Sequence, residues 1–100
     1  MDKILNYLGI ARRSRHLIAG TDSVIKGLQS NKLNLIILAN EASDSTKDKI
    51  IKKAFHYDVP VLEGYSIIDI CNATGLKNPI VSAIDDLGLS KAILELKSRS

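Results

Sequence analysis

One stretch of the sequence decides the fold, and it reads Leu33-Asn34-Leu35-Ile36-Ile37-Leu38-Ala39. Apart from Asn34, the run is apolar without polar alternation, which is typical of a strand that other elements cover on both faces. A strand of this kind requires helices above and below its sheet. The sequence therefore predicts a central strand inside a layered α/β domain.

Helices and further strands are predicted on both sides of this run. Five helices follow from apolar residues that recur every three or four positions, and their predicted starts are Asp2, Thr21 or Asp22, Ser45, Ser66 and Ser90. Three more strands are predicted at His16 to Ala19, Val59 to Leu62 and Ile80 to Ile84. The alternation predicts a sheet between helical layers. It leaves the strand order open, and a doubly wound parallel sheet remains an alternative.

The third predicted helix is the most charged. Its inward stripe is predicted to consist of Ile50, Ile51, Ala54, Phe55 and Tyr57. Its remaining circumference carries Lys47, Lys49, Lys52 and Lys53, which are interpreted as a solvated face.

Composition limits the class of protein. A chain of 100 residues, 45% hydrophobic and 25% charged, fits one globular domain spanning residues 1–100. The formal charge of +3 permits an anionic partner without requiring one. A single cysteine, Cys71, excludes an internal disulfide and is interpreted as part of the core. Because the sequence shows neither a signal-peptide pattern nor a membrane-span run, a cytoplasmic protein without membrane contact is expected.

The common catalytic signatures are absent from the sequence. It contains no Walker A loop, no G-x-G-x-x-G, no G-x-S-x-G and no H-E-x-x-H. Ser23 to Lys26 matches S-x-x-K, but without the companion motifs of that chemistry. His16 and His56 form no recognisable ligand set, and Asp85-Asp86 is interpreted as a turn. The sequence therefore predicts no enzyme, no cofactor and no metal site.

Two neighbouring segments could bind an anion. The first is the basic stretch Arg12-Arg13-Ser14-Arg15-His16, and the second is Gly20 to Lys26 at the start of helix two. A helix N-terminus presents unpaired N–H groups and positive dipole charge, so a phosphate could dock at Thr21 to Ser23, with Lys26 one turn on. A capped helix beside a solvated basic helix end explains the same residues, and the residues alone leave both interpretations open.

A resemblance across almost the whole chain favours the first interpretation. The order and spacing of several segments resemble the L-seven-Ae/L-thirty-e ribosomal protein family, and in particular its bacterial YlxQ-type branch. The segments are Leu8 to Arg13, Leu17 to Gly20, the lysine-bearing second helix, Leu35 to Ser43, Val59-Pro60-Val61 and Ala73-Thr74-Gly75. The resemblance implies a three-layer α/β/α sandwich with a small mixed sheet of about four strands.

The resemblance also implies binding to RNA kink-turns, where the start of helix two approaches sheared G·A pairs. Archaeal members read Gly-Thr-Asn-Glu there, followed three positions later by lysine. Gly20, Thr21 and Lys26 match this pattern, whereas Asp22 replaces the asparagine and Ser23 the glutamate. An ionised Asp22 can only accept hydrogen bonds and is unfavourable beside phosphate, which leaves kink-turn specificity open.

The resemblance adds two further groups of expected RNA contacts. They are the loop Leu76, Lys77, Asn78 and Pro79 with the adjoining Ile80, and the turn Asn40-Glu41. The resulting hypothesis is a monomeric, non-catalytic, ribosome-associated protein that binds structured RNA. Arg12, Arg13, Arg15 and Lys26 hold phosphates, and Thr21, Asp22 and the Leu76 to Pro79 loop recognise RNA shape. The alternative is a protein-interaction module on the same fold that does not bind RNA.

Overall fold

The computed structural model describes residues 2–99, and within them five helices alternate with four strands. The elements in chain order are α1 (Lys3–Arg13), β1 (Leu17–Ala19), α2 (Thr21–Gln29), β2 (Leu35–Leu38), α3 (Asp44–His56), β3 (Val61–Leu62), α4 (Ile67–Thr74), β4 (Val81–Ile84) and α5 (Leu87–Arg99).

The four strands form one mixed sheet in the order β1-β4-β2-β3. β4 runs antiparallel to both of its neighbours, β1 and β2, whereas β2 and β3 are parallel. Every residue of β2 is buried, which confirms the covered central strand predicted from Leu33 to Ala39. The antiparallel pairs rule out the doubly wound parallel alternative.

Helices cover both faces of the sheet, because side chains of β2 alternate between two cores. Leu35 and Ile37 pack with α1, α4 and α5, whereas Ile36 and Leu38 pack with α2 and α3. This arrangement confirms the three-layer α/β/α sandwich.

Three predicted helix starts are wrong, because the capping residue lies one to four positions before the predicted one. α3 is capped by Ser43, whose Oγ accepts from the Thr46 N–H at 3.2 Å, so the helix begins before Ser45. α5 begins at Leu87, not at Ser90, because the Asp86 carboxylate accepts from the Leu89 N–H at 2.8 Å. α2 has Gly20 as its N-cap, and neither Thr21 nor Asp22 caps it. Several polar residues near each start could act as caps; the structure uses one of them in α3 and α5 and none in α2.

The predicted inward stripe of α3 is only partly correct. Ile50 and Ala54 are buried and Tyr57 is half-buried, but Ile51 is 42% exposed and Phe55 is 78% exposed. Successive helical residues are rotated by about 100°, so a stripe centred on Ile50 and Ala54 leaves Phe55 outside it. Cys71, interpreted as core, is half-buried on α4.

A hydrogen-bonded clasp joins the start of α1 to the loop before α4. The Asp2 carboxylate accepts from the Ile4 N–H at 2.7 Å and from the Tyr65 hydroxyl at 2.9 Å. Burial raises the pKa of Asp2, but these hydrogen bonds, one from Leu5 and the charge of Lys97 outweigh it, so that the pKa falls below 3.8. Burial, the hydrogen bond to Asp2 and the nearby negative charges raise the pKa of Tyr65 to about 12.

The clasp predicts a loss of stability at alkaline pH. Because the pKa of Tyr65 rises from 10.0 to about 12 on folding, its contribution is complete below pH 10 and is lost as the pH rises towards 12. Urea unfolding across this range is therefore expected to show a smaller decline in Tyr65→Phe than in the wild type. Tyr57→Phe keeps the clasp and serves as the control. Equal declines in all three proteins would show that Tyr65 is not the titrating group.

Candidate nucleic-acid interface

Three separate segments meet at one edge of the sheet. The Gly20 N–H donates to the Val81 carbonyl and the Ala39 N–H to the Ile80 carbonyl, both at 2.9 Å. These bonds place the start of α2 and the turn after β2 on either side of the entry to β4. We refer to residues Gly20 to Ser23, Asn40, Glu41 and Leu76 to Ile80 together as the loop edge.

The start of α2 presents backbone donors at this edge. Gly20 has φ 102° and ψ 139°, a conformation that favours glycine, and no side chain caps the helix. The N–H groups of the first turn therefore point outward without a capping oxygen, as an anion site requires. Asp22 and Ser23 are exposed there and Thr21 is half-buried.

Lys26 provides the nearest cation of α2. It lies four residues after Asp22 and three after Ser23, so all three share one helical face. Lys26 is exposed, and within residues 2–99 no carboxylate forms an ion pair with it. Its charge is available to an anion that approaches the start of α2.

The loop from Leu76 to Ile80 is held by local hydrogen bonds. α4 ends at Gly75 with φ 76°, and the buried Thr74 hydroxyl accepts from the Leu76 N–H at 3.2 Å. The Ile80 N–H donates to the Asn78 carbonyl at 2.8 Å, which closes a tight turn. Pro79 is buried, and Lys77 and Asn78 are exposed. The loop therefore displays these two polar side chains from an anchored base.

Asn40 and Glu41 have different roles at the loop edge. The Asn40 N–H donates to the Tyr65 carbonyl at 2.9 Å, and within the described residues 2–99 its side chain has no hydrogen-bond partner. The Glu41 carboxylate accepts from the Ile67 N–H at 2.9 Å and so holds the start of α4. Tyr65, which the sequence did not indicate, thus joins both the clasp and the loop edge.

The three arginines lie away from the loop edge. We call Arg12, Arg13 and Arg15 the basic turn: the first two end α1, and Arg15 has φ 65° before β1. β1 separates this turn from Gly20, and five residues of extended chain correspond to roughly 16 Å. Closeness in sequence thus does not place the two groups together. All three side chains are exposed and form no ion pair within residues 2–99.

Residues 2–99 contain neither a cluster of metal-ligating side chains nor a membrane-spanning helix. Within residues 2–99, no three His, Cys, Asp or Glu side chains cluster in a way that could hold a metal ion. His16 Nδ1 lies 2.8 Å from Asp85 Oδ1, an exposed pair at the far end of β4. None of the described helices is long and apolar enough to cross a membrane.

The fold is that of a small three-layer α/β/α domain, and comparison with known families identifies the family. The sequence profile of the ribosomal protein L7Ae/L30e/S12e/Gadd45 family matches residues 2–94. The chain therefore belongs to this family, which confirms the resemblance predicted from its sequence.

Individual relatives resemble the chain over most of its length. The RNA-binding protein YlxQ of Enterococcus faecium is 32% identical over 94 residues, covering 94% of this chain and 90% of the relative. The RNA-binding protein YlxQ of Bacillus subtilis (strain 168) is 30% identical over 89 residues, covering 89% of each chain.

Solved structures show the same fold. A protein with unknown function from Bacillus halodurans C superposes with a TM-score of 0.94 at 31% identity, covering 98% of this chain and 99% of that one. The 15.5kD RNA binding protein of Giardia lamblia superposes with a TM-score of 0.79, covering 100% of this chain and 92% of its own, and at 18% identity it shows the fold alone.

Proposed function

We propose that this chain is a non-catalytic RNA-binding protein that recognises kink-turn-like RNA through its loop edge. One observation carries the proposal: hydrogen bonds bring the uncapped start of α2, the Asn40 turn and the Leu76 to Ile80 loop to a single edge of the sheet. The relatives named RNA-binding protein YlxQ support the RNA-binding role.

The loop edge offers each kind of contact that bent RNA requires. Backbone N–H groups of Thr21 to Ser23 and the Lys26 ammonium can hold a phosphate. Asn40, Lys77 and Asn78 supply donors for base edges or 2′-hydroxyls. The half-buried Leu76 and Ile80, with the buried Pro79 holding the loop between them, can support a base that is not stacked within the helix, an arrangement that favours bent RNA over a continuous duplex.

Asp22 sets how tightly this edge holds RNA. Its carboxylate can accept from the exocyclic amino groups of adenine or guanine but cannot donate to a base. It also places a negative charge in the first turn of α2, where a phosphate would dock. An amide at this position would donate as well as accept and would remove that repulsion.

The cellular setting is part of the same proposal. A single domain of residues 1–100 acts in the cytoplasm as a monomer associated with ribosomal RNA. Membership of a ribosomal protein family and the net charge of +3 support this setting. Co-sedimentation with ribosomal particles in sucrose gradients, lost at high salt, is the corresponding measurement.

Titration against a kink-turn RNA and a length-matched duplex tests the proposed site. The wild type is expected to prefer the kink-turn, and Lys26→Ala to weaken that binding roughly tenfold or more by removing a charge-assisted contact. Asp22→Asn is expected to bind the kink-turn more tightly than the wild type. Lys32→Ala, beyond the opposite end of α2, removes the same charge and is the matched control.

Two results would contradict the proposal. Equal binding of the wild type to both RNAs would remove the preference for kinked RNA. Equal loss in Lys26→Ala and Lys32→Ala would show that Lys26 acts only through the net charge of the protein and is not part of a binding site.

A further inference from the structure

An exposed aromatic side chain on α3 has no role in the fold or at the loop edge. Phe55, the chain's one phenylalanine, is 78% exposed. Ile51 lies one helical turn before it on the same face and is 42% exposed. Both residues belong to a helix whose inward stripe, at Ile50 and Ala54, is packed against the sheet. The core therefore does not explain this apolar pair.

Lysines border the apolar pair. Lys47 precedes Ile51 by four residues and Lys52 precedes Phe55 by three, which places one cation on each side. We call Lys47, Ile51, Lys52 and Phe55 the α3 patch. The Lys52 ammonium lies 3.0 Å from the Asp48 carboxylate, an exposed pair, and exposed pairs contribute little and exchange readily. Lys47, Lys49 and Lys53 form no ion pair within residues 2–99.

We propose that the α3 patch is a second RNA contact, in which Phe55 stacks on an unpaired base while Lys47 and Lys52 hold the adjoining phosphates. Aromatic rings on a cationic surface are the usual means of holding single-stranded nucleic acid, since every base has a face on which an aromatic ring can stack. The inference rests on the proposed RNA-binding function and extends it from the loop edge to α3.

The position of the patch sets which part of the RNA it can reach. α3 begins four residues after Asn40 and leads away from the loop edge. Phe55 lies eleven residues beyond Asp44, which at 1.5 Å per residue is roughly 16 Å along the helix. At about 3.4 Å per nucleotide this distance spans about five nucleotides. The base held by Phe55 therefore lies in a strand that flanks the kinked element.

The same features disfavour a protein as the occupant. A stable protein interface covers about 800 Å² on each partner and has an apolar centre from which lysine is depleted. The α3 patch has two apolar side chains bordered by lysines, and over the whole helix the four lysines outnumber Asp44 and Asp48. Its chemistry thus complements a polyanion with exposed bases better than an apolar protein surface.

Fluorescence of Phe55→Trp tests stacking directly, because the chain contains no natural tryptophan. One RNA is a blunt kink-turn, and the others carry a single-stranded tail of about eight nucleotides at either end. Emission is expected to be quenched by a tailed RNA and little changed by the blunt one. The control is Lys91→Trp, at an exposed position of α5 on the opposite face of the sheet, and its emission is expected to respond to neither RNA.

Affinity measurements separate stacking from simple charge. Phe55→Ala is expected to weaken binding to the tailed RNA roughly tenfold and to leave the blunt kink-turn unaffected. Phe55→Leu keeps an apolar side chain but loses the aromatic ring, and its affinity for the tailed RNA is expected to fall almost as much as that of Phe55→Ala. Circular dichroism of these variants should match the wild type, since Phe55 is largely outside the core.

The outcomes distinguish this inference from the function on which it rests. Wild-type affinity of Phe55→Ala for tailed RNA, with blunt kink-turn binding intact, would overturn the stacking contact and leave the loop edge in place. The same result together with self-association or a protein complex that depends on Phe55 would assign the patch to a protein. Quenching by tails without any preference for the kink-turn would support the α3 patch and overturn kink-turn recognition.

Discussion

Replacing Gly9 with alanine is expected to lower the free energy of unfolding by about 2 kcal/mol, which for a domain of this size is a fall in Tm of roughly 8–16 °C. Gly9 faces α4 from the middle of α1, and a β-carbon there would stand 2.8 Å from the Ala73 carbonyl oxygen. That oxygen belongs to the backbone and cannot rotate away. The Ile67 N–H at the start of α4 donates a hydrogen bond to the Glu41 carboxylate, and this bond hinders movement of α4 away from α1.

Gly27→Ala is the matched control, because Gly27 is also a helical glycine. The nearest atoms that a β-carbon there would meet belong to the side chain of Leu33, at 2.9–3.0 Å, and a side chain can shift more easily than a backbone carbonyl. Alanine also favours a helix over glycine by about 1 kcal/mol, which offsets much of that contact. Thermal unfolding of both variants should therefore show a large loss for Gly9→Ala and little change for Gly27→Ala. Equal Tm values would mean that α1 and α4 separate easily.

The features that could be predicted from sequence are those set by local patterning. The unbroken apolar run Leu35 to Leu38 was sufficient to predict a strand buried on both faces, since a strand with one solvent-exposed face shows alternating apolar and polar residues. Gly75 likewise ends α4 in the left-handed conformation that helix ends favour. Each of these features depends on a few neighbouring residues.

Pairing between distant residues could not be predicted in this way. The order β1-β4-β2-β3 places the last strand between the first two, and no local signal specifies that insertion. Helix starts were ambiguous for a related reason. Asp86 and Ser90 are both acceptable caps by type, and the structure uses Asp86, which leaves Ser90 buried inside α5.

In the candidate site, too, features set by neighbouring residues differ in predictability from those set by distant ones. Gly20 lies directly before α2, where the family resemblance implied a glycine, but the local sequence pattern assigned the cap to Thr21 or Asp22. Phe55 was predicted to face the core because an apolar residue next to Ala54 resembles part of the inward stripe. Its rotation by about 100° from Ala54 is the signal that could have placed it outside. The separation between the basic turn and Gly20 could not be predicted, because it depends on the path of β1, which carries the chain from one end of the sheet to the other.

Neutralising the basic turn is expected to have the largest effect on RNA affinity. If Arg12, Arg13 and Arg15 each contact a phosphate, changing all three to glutamine reduces the dependence of log K on log salt by about 2–3. At 0.1 M salt this corresponds to a loss of about two orders of magnitude in affinity. Titrations across a salt series measure both quantities. A control with Lys3, Lys91 and Arg99 changed to glutamine removes the same charge, from +3 to zero in each protein.

The comparison between these two variants decides how far the RNA extends over the molecule. The basic turn and the start of α2 lie at opposite ends of β1, roughly 16 Å apart, so one phosphate cannot bridge them. A loss of slope specific to the arginine variant would require RNA that runs along β1 from the loop edge to the end of α1. Equal slopes in the two variants would instead make the basic turn a solvated helix end, with the arginines acting only through net charge.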